Sequence, residues 1–294
     1  MNPLNSERAM IKSLSRRHFC KWLLGLPLLS FFPLRAGEAE ANVLSLPRAG
    51  RSSIGKFFNG EELLYGIGFG LFKRVAMGKL TLKEMEKKGR YMATLQAETV
   101  GLLGWVSRYR MDTYRSVMEE IDGGTRFRSL TFEEDVKIGS KLKRKTHLFD
   151  YQRGKWIQMR QRKNGSIERT EEEIPPGRVY DDFLTASFNF RYGVYGEIER
   201  GKKYMVATFP RKGALHYEVK VASKEEEEKR KKSEKLKDGK EFFIKLLLDP
   251  EVTHSKEGLI EGWLSKELYP LEGAIKDVIL FGDVRGTLIK NNRG

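Results

Sequence analysis

The sequence predicts a mainly β protein: a long antiparallel meander forming an open or partly closed barrel around one short helix. Three observations predict it. Apolar residues recur with period two over most of the chain beyond residue 57, the pattern of strands that bury one face. Turn-forming clusters separate these runs, at Lys87-Lys88-Gly89, Asp122-Gly123-Gly124, Lys163-Asn164-Gly165-Ser166 and Lys212-Gly213. One segment, Asp181–Gly193, breaks the period and reads as a helix with apolar surface around much of its circumference, which favours enclosure.

The 294-residue chain begins with an address. Ser15-Arg16-Arg17-x-Phe19-x-Lys21 precedes the uncharged run Trp22–Leu34, shorter than the roughly 20 apolar residues a spanning helix needs. Arg35 follows, then the small-x-small pattern Ala39-Glu40-Ala41. These features predict a twin-arginine-type signal peptide over residues 1–41, cleaved after Ala41. They make the twin-arginine translocation machinery a partner and the periplasm the destination. An uncleaved signal holding the chain at the inner membrane is the alternative. Cys20, the one cysteine, leaves with the leader, so the mature chain has no disulfide, thiolate metal site or cysteine nucleophile. Cleavage removes six of 55 basic and three of 40 acidic residues, leaving 49 against 37 and a net charge of +12.

Such a basic balance raises nucleic acid as a partner, with Arg108–Arg115 (RYRMDTYR) and Lys141–Lys145 (KLKRK) as the best segments. For an exported chain the anions are instead lipid head groups, lipopolysaccharide phosphates or another anionic envelope polymer. No nucleic acid is expected, and a solvated outer strand face is the plain alternative.

Residues 42–56 carry little apolar pattern and read as a flexible lead-in. A single β-rich domain is expected over 57–290, with a charged insertion at about 223–240 and a tail at 291–294. Leu63, Tyr65, Ile67, Phe69 and Leu71 alternate with Leu64, Gly66, Gly68, Gly70 and Phe72, giving one bulky and one nearly bare face. Tyr91–Ala97, Trp105–Met111, Tyr204–Thr208, Leu215–Val221, Ile244–Leu248 and Ala274–Leu280 repeat the alternation. Asn164-Gly165 between two runs predicts a hairpin, because both residues tolerate positive φ. In the helix, Asp181 or Asp182 is suited to cap the start and Gly193 to end it. In the insertion, Glu225–Glu228 face Lys229, Arg230, Lys231 and Lys232 at i,i+4, which supports a helix by about 0.2–0.5 kcal/mol per pair. A disordered insertion, or a hairpin tip turning at Asp238-Gly239, remains open.

The search for chemistry returns no catalytic constellation. His147, His216 and His254 have no metal-site spacing, and the chain lacks a Gly-x-Ser-x-Gly elbow and a phosphate loop. Gly66-Ile67-Gly68-Phe69-Gly70 lies inside a strand pattern. Asp181 with Asp182, and Glu171–Glu173, need no catalytic role. The expectation is a non-enzymatic protein with no metal and no cofactor.

Several stretches together resemble the bacterial exported-protein family known as domain of unknown function 3108. Phe57-Phe58-Asn59-Gly60-Glu61-Glu62-Leu63-Leu64-Tyr65 is similar to its opening motif, Asp182-x-Leu184-x-x-x-Phe188-x-x-Arg191 to its central helix, Gly258–Leu264 with Leu268-Tyr269-Pro270-Leu271 to its closing element, and Phe281–Leu288 to its last strand pair. The charged insertion is longer than the family's hairpin. The resemblance implies a half-barrel closing partway around a helix, like periplasmic carriers of lipoproteins, and implies no reaction.

A concave sheet with inward aromatics and a bare glycine track leaves room for an apolar ligand. The expected role is binding or carriage of a lipid or lipoprotein acyl chain. Arg191 is the candidate anchor for an anionic head, Tyr65, Phe69, Trp105, Phe183 and Phe188 the candidate lining, and Asp182 belongs to the same set at the helix start. In the competing reading Phe183 and Phe188 fill the core and Arg191 pairs with a strand acid. An envelope interaction protein, docking through basic strands or the charged insertion, is the alternative function.

Overall fold

The structure, a computed structural model, describes residues 52–292 except 163, 212–213, 235–238, 249, 254 and 279–281. The signal residues Arg16, Arg17, Phe19 and Lys21, the cleavage point after Ala41, and Cys20 and His254 lie outside the described residues. The chain divides into Met1–Val43 and Leu44–Gly294, and every described element belongs to the second unit.

Fourteen strands form one antiparallel sheet: β1 (Glu62–Phe69), β2 (Phe72–Glu84), β3 (Arg90–Thr99), β4 (Met111–Ile121), β5 (Arg126–Ile138), β6 (Lys141–Asp150), β7 (Lys155–Gln161), β8 (Ile167–Glu173), β9 (Lys203–Arg211), β10 (Ala214–Val221), β11 (Phe242–Leu247), β12 (Leu259–Leu264), β13 (Pro270–Val278) and β14 (Gly282–Asn292). Their order is β8-β7-β6-β5-β4-β3-β2-β1-β14-β13-β12-β11-β10-β9, so the last strand returns to pair with the first and β8 and β9 are the edges. The sheet does not close by hydrogen bonds. It closes through side chains instead: Phe209 of β9 meets Phe132, His147, Phe149 and Trp156 of β5, β6 and β7 at ring separations of 4.7–6.2 Å. Burying four aromatic rings there brings an edge strand over the inner face without a ladder.

Short helices complete the unit: α1 (Ile54–Phe58), α2 (Gly101–Val106), α3 (Phe183–Tyr192), α4 (Lys224–Glu234) and α5 (Pro250–Thr253). Helix α3 is the predicted central helix. Asp182 caps it, accepting from the backbone N–H groups of Leu184 and Thr185, and Gly193 ends it in the left-handed region at φ 89°. Leu184, Phe188 and Tyr192 of α3 pack with Phe58, Leu63, Leu82, Tyr91, Phe127 and Phe132 in the main core. Ala186 and Phe190 pack with Val206, Val219, Val221 and Leu264 in a second cluster. An aliphatic or aromatic side chain fully buried in this way contributes roughly 1.5–3 kcal/mol, so the sheet and helix fix each other. The Asn164-Gly165 hairpin forms between β7 and β8, with Gly165 at φ 83°.

Three expectations need correction. The lead-in ends before residue 52, because Ile54 and Phe58 of α1 are wholly buried. Ser53 caps α1, and the Gly55 N–H donates to Glu120 Oε1 at 2.8 Å. The expected strand at Trp105–Met111 is α2 followed by a turn in which Arg108 and Tyr109 both have positive φ. That reversal breaks the ladder, and pairing resumes only at Met111. The insertion is helical, but its acids mostly serve the sheet: Glu226 reaches Lys220 and Lys245, and Glu227 reaches Arg200 and the Phe243 N–H. Helix α4 thereby covers Phe243 and Trp263 on the outer face, with Arg230 over the first ring and Lys231 over the second.

Candidate functional site

The inner face has an upper part that α3 fills and a lower part that it leaves half-covered. Arg191 lies in the upper part. Its guanidinium donates through both Nη atoms to the two carboxylate oxygens of Glu61 at 2.7 Å, and through Nε to the Leu268 carbonyl at 2.8 Å. The rings of Phe58, Phe188 and Tyr269 surround it at 4.7–5.9 Å. With 2 % of its side chain exposed, Arg191 faces no ligand space, which corrects its expected role as a head-group anchor. Its anion is Glu61 of the opening motif, itself wholly buried, so Arg191 pairs with an acid at the start of β1.

Asp182 is wholly buried. Beyond capping α3, its Oδ2 accepts from the hydroxyls of Ser116 at 2.5 Å, Ser129 at 2.8 Å and Thr185 at 2.9 Å, so it ties α3 to β4 and β5. Asp181 beside it accepts from Arg126, Asn189 and Tyr195 at 2.9–3.0 Å. Burial raises its pKa to about 6, against the lowering effect of Arg126, and pushes the Tyr195 phenol up as well. A perturbed carboxyl beside a tyrosine is a combination used in acid–base chemistry. Here both carboxylates are wholly buried, Asp182 among donors, while Asp181 takes its three hydrogen bonds on Oδ2 and its Oδ1 has no partner among the described residues. Phe188 is core, and Trp105, 60 % exposed on α2, lies outside the inner face, which corrects its place among the lining residues.

The remaining candidates mark the half-covered part. Phe183, 38 % exposed, stands edge-on to Tyr114 and Phe132. Tyr65 is half-buried and donates its hydroxyl to the Pro270 carbonyl at 2.9 Å, and Phe69 at the end of β1 lies tilted against Phe72, ring centroids 5.5 Å apart. The pairing register joins Tyr65 and Phe69, though not Phe183, to residues the sequence pattern did not single out as lining. One cross-strand row reads Ile244, Gly262, Gly273, Gly286 and Ile67. The next row toward the β1–β2 turn reads Leu246, Ile260, Ile275, Val284 and Phe69. On the other side stand Phe242, Leu264, Leu288 and Tyr65, packed on the clusters around α3.

The register thus sets three adjacent glycines side by side in one row between two apolar rows. From β11 to β1 it crosses four inter-strand spacings, about 19 Å. Gly262 is demanded by packing, since a Cβ there would lie 2.9 Å from the Glu272 carbonyl oxygen. Gly273 is not: a Cβ there would meet nothing within 4 Å. Glycine inside a strand weakens it, and no close neighbour demands it at Gly273. The glycine track expected at Gly66, Gly68 and Gly70 is elsewhere: Gly66 faces Ile289 and Arg74, and Gly68 sits against backbone at the β1–β2 bulge. An open recess of about 310 Å³ also lies between α4 and β11, but it is lined by Glu226, Lys229, Arg230, Ser233, Phe243 and Lys245, whose charges are largely paired with one another and with the sheet.

Among the described residues no cluster of His, Cys, Asp or Glu has the form of a metal site, and no helix is long and apolar enough to cross a membrane. These features define a class: a β-barrel-like fold, one antiparallel sheet rolled about a helix, compatible with binding and giving no sign of catalysis. Within that class, the chain belongs to the family described as "Protein of unknown function (DUF3108)", which matches residues 64–289. It is also similar to a solved structure, the beta-barrel-like protein of domain of unknown function DUF1849 from Brucella abortus, at 13 % identity and a TM-score of 0.41, over 80 % of this chain and 98 % of that one. No curated protein matches the chain.

Proposed function

We propose that the mature protein is an exported, periplasmic, non-enzymatic binder of an amphiphilic envelope molecule, whose lipid or lipoprotein acyl chain lies in the glycine-floored groove. The observation that carries this reading is the row Gly262–Gly273–Gly286 between two apolar rows, half-exposed at Gly273 and Gly286 where a purely structural sheet would place branched side chains. Apolar concavities with few polar groups are the usual form of such sites. Because α3 fills the upper part of the barrel, the ligand lies across strands β11 to β1 rather than beside the helix, and Arg191 takes no part.

Gly273→Leu tests the groove directly, since a side chain there enters open space in an ordinary strand conformation. The expected result is saturable binding of a fluorescent long-chain fatty acid by the parent. The variant should lose at least about tenfold in affinity with its melting temperature kept, one such factor being about 1.4 kcal/mol. Native mass spectrometry showing the parent consistently free of lipid, or equal probe binding by the variant, refutes the reading.

A further inference from the structure

We infer that the end of the sheet carrying the β1–β2, β3–β4 and β5–β6 connections is a docking surface for an anionic phospholipid bilayer. In an antiparallel meander alternate connections share an end, and hydrogen bonds hold these three in place. The Val100 N–H donates to the Val75 carbonyl at 2.8 Å, tying the β3–β4 connection to β2, and the Gly139 N–H donates to the Arg108 carbonyl at 3.0 Å, tying it to the β5–β6 turn.

Along these three connections the charge is almost all of one sign, the acids at this end lying on the neighbouring β11–β12 and β13–β14 connections and just inside the strands at Asp112 and Asp135. Residues 68–75, 100–110 and 137–144 contain eight Lys or Arg (Lys73, Arg74, Arg108, Arg110, Lys137, Lys141, Lys143 and Arg144) and no Asp or Glu. Arg110 is held by Asp112 and Arg144 by Asp135, while Lys73, Arg74, Arg108, Lys137 and Lys141 are exposed. Apolar side chains project among them. Leu71 is 96 % exposed and Phe72 58 %, directly before Lys73 and Arg74, while Trp105, Tyr109 and Leu142 are exposed on the neighbouring connections.

This combination selects a bilayer over a soluble polymer. Each basic residue near an anionic membrane surface strengthens binding roughly fivefold, and an anionic polymer would be served by the cations alone. Leu71 and Phe72 at a turn tip, with Trp105 and Tyr109 beside them, add what only a lipid interface rewards: apolar tips that insert and amphipathic rings that settle at head-group depth. The two basic segments, RYRMDTYR and KLKRK, that an intracellular chain would suggest for nucleic acid are brought together here with those tips. The docking holds whether or not the groove is occupied.

The test uses the Leu44–Gly294 unit, which contains the whole described core, and vesicles of phosphatidylethanolamine with one quarter phosphatidylglycerol. Trp156 and Trp263 are buried, so a blue shift of tryptophan emission on vesicle addition reports Trp105. The parent is expected to co-sediment with these vesicles, weakly with pure phosphatidylcholine, and to show the shift. Lys73→Gln/Arg74→Gln/Arg108→Gln should lose at least about tenfold in binding, and Leu71→Ser/Phe72→Ser should lose the part that survives high salt, both with unchanged melting temperature. Gly273→Leu should dock like the parent, so failure of the groove reading leaves this result standing. The inference is overturned if the parent ignores anionic vesicles, if the Leu71/Phe72 variant binds like the parent and so marks a purely electrostatic polymer site, or if sedimentation reflects self-association without the emission shift.

Discussion

Replacing Arg191 by methionine separates a guanidinium that serves the fold from one that serves a ligand. Glu61 and Arg191 are both buried and exchange two 2.7 Å charge-assisted hydrogen bonds across a sequence separation of 130. Removing the cation leaves a carboxylate in a site walled by Phe58, Phe188 and Tyr269. An orphaned buried charge costs about 3–5 kcal/mol, a large share of the roughly 5–15 kcal/mol that holds a domain folded. At about 2–4 °C per kcal/mol for a chain of this size, the melting temperature should fall by about 6–20 °C. Urea denaturation of Leu44–Gly294 measures the loss. The double variant Glu61→Met/Arg191→Met removes both charges and should return to within about 1–3 kcal/mol of the parent, the remainder being the Leu268 carbonyl left without its donor. A loss below about 1 kcal/mol in the single variant, or a double variant no better than the single, would refute the structural role.

Phe209→Ala should destabilise by about 3–5 kcal/mol and increase proteolysis at β9, because this ring packs the edge strand against Phe132, His147, Phe149 and Trp156; an unchanged urea midpoint would show that the sheet closes by other means. Asp181 titrates near 6 when folded against about 3.9 unfolded, so the folded state binds more protons between these values and stability falls as pH rises from 4 to above 6. The stability of the parent minus that of Asp181→Asn should therefore decline by about 2–3 kcal/mol over this window, and a flat or rising difference sinks the assignment. Deleting Ser223–Lys237 uncovers Phe243 and Trp263 and takes Glu227 from Arg200 and from the Phe243 N–H, so it should lower the urea midpoint rather than leave a cleanly trimmed protein. Replacing Arg16 and Arg17 by lysine should trap the precursor in cell fractionation, and undiminished export would remove the twin-arginine reading.

Legibility followed the range of the interactions. Helix α3 could be read because its signals are local: Asp182 and Gly193 are ten residues of helix apart, and each acts on its own end. The Asn164-Gly165 hairpin and the alternation in β1, β3 and β10 are local in the same sense. Helix α1 was hidden because Ile54 and Phe58 lie in a polar stretch and gain their meaning from Tyr91 and Phe188, far along the chain. In α2, Trp105, Ser107 and Tyr109 imitate a strand, and only the left-handed backbone at Arg108 and Tyr109 reveals the turn. The groove was the least accessible feature. Gly262, Gly273 and Gly286 sit on three different strands, and no spacing along the chain distinguishes them from turn glycines until the register places them side by side.

That register gives the inner face its division of labour. A rolled sheet of this length encloses more space than one ten-residue helix fills, and the two halves of the face meet the surplus differently. On β2 to β7 the inward positions carry Leu82, Tyr91, Phe127, Phe132, Phe149 and Trp156, which reach α3 and Phe209 and close the space. On β12 to β14 the corresponding row carries no side chain, and Ile260, Ile275 and Val284 beyond it pack on neither cluster around α3. Exposing branched side chains beside a bare floor forgoes hydrophobic stabilisation, and Gly273 adds the conformational cost of glycine in a strand, roughly 0.5–1 kcal/mol. A fold that needed only stability would fill Gly273, where the space is open. In the proposed function that space is kept for the acyl chain of a ligand.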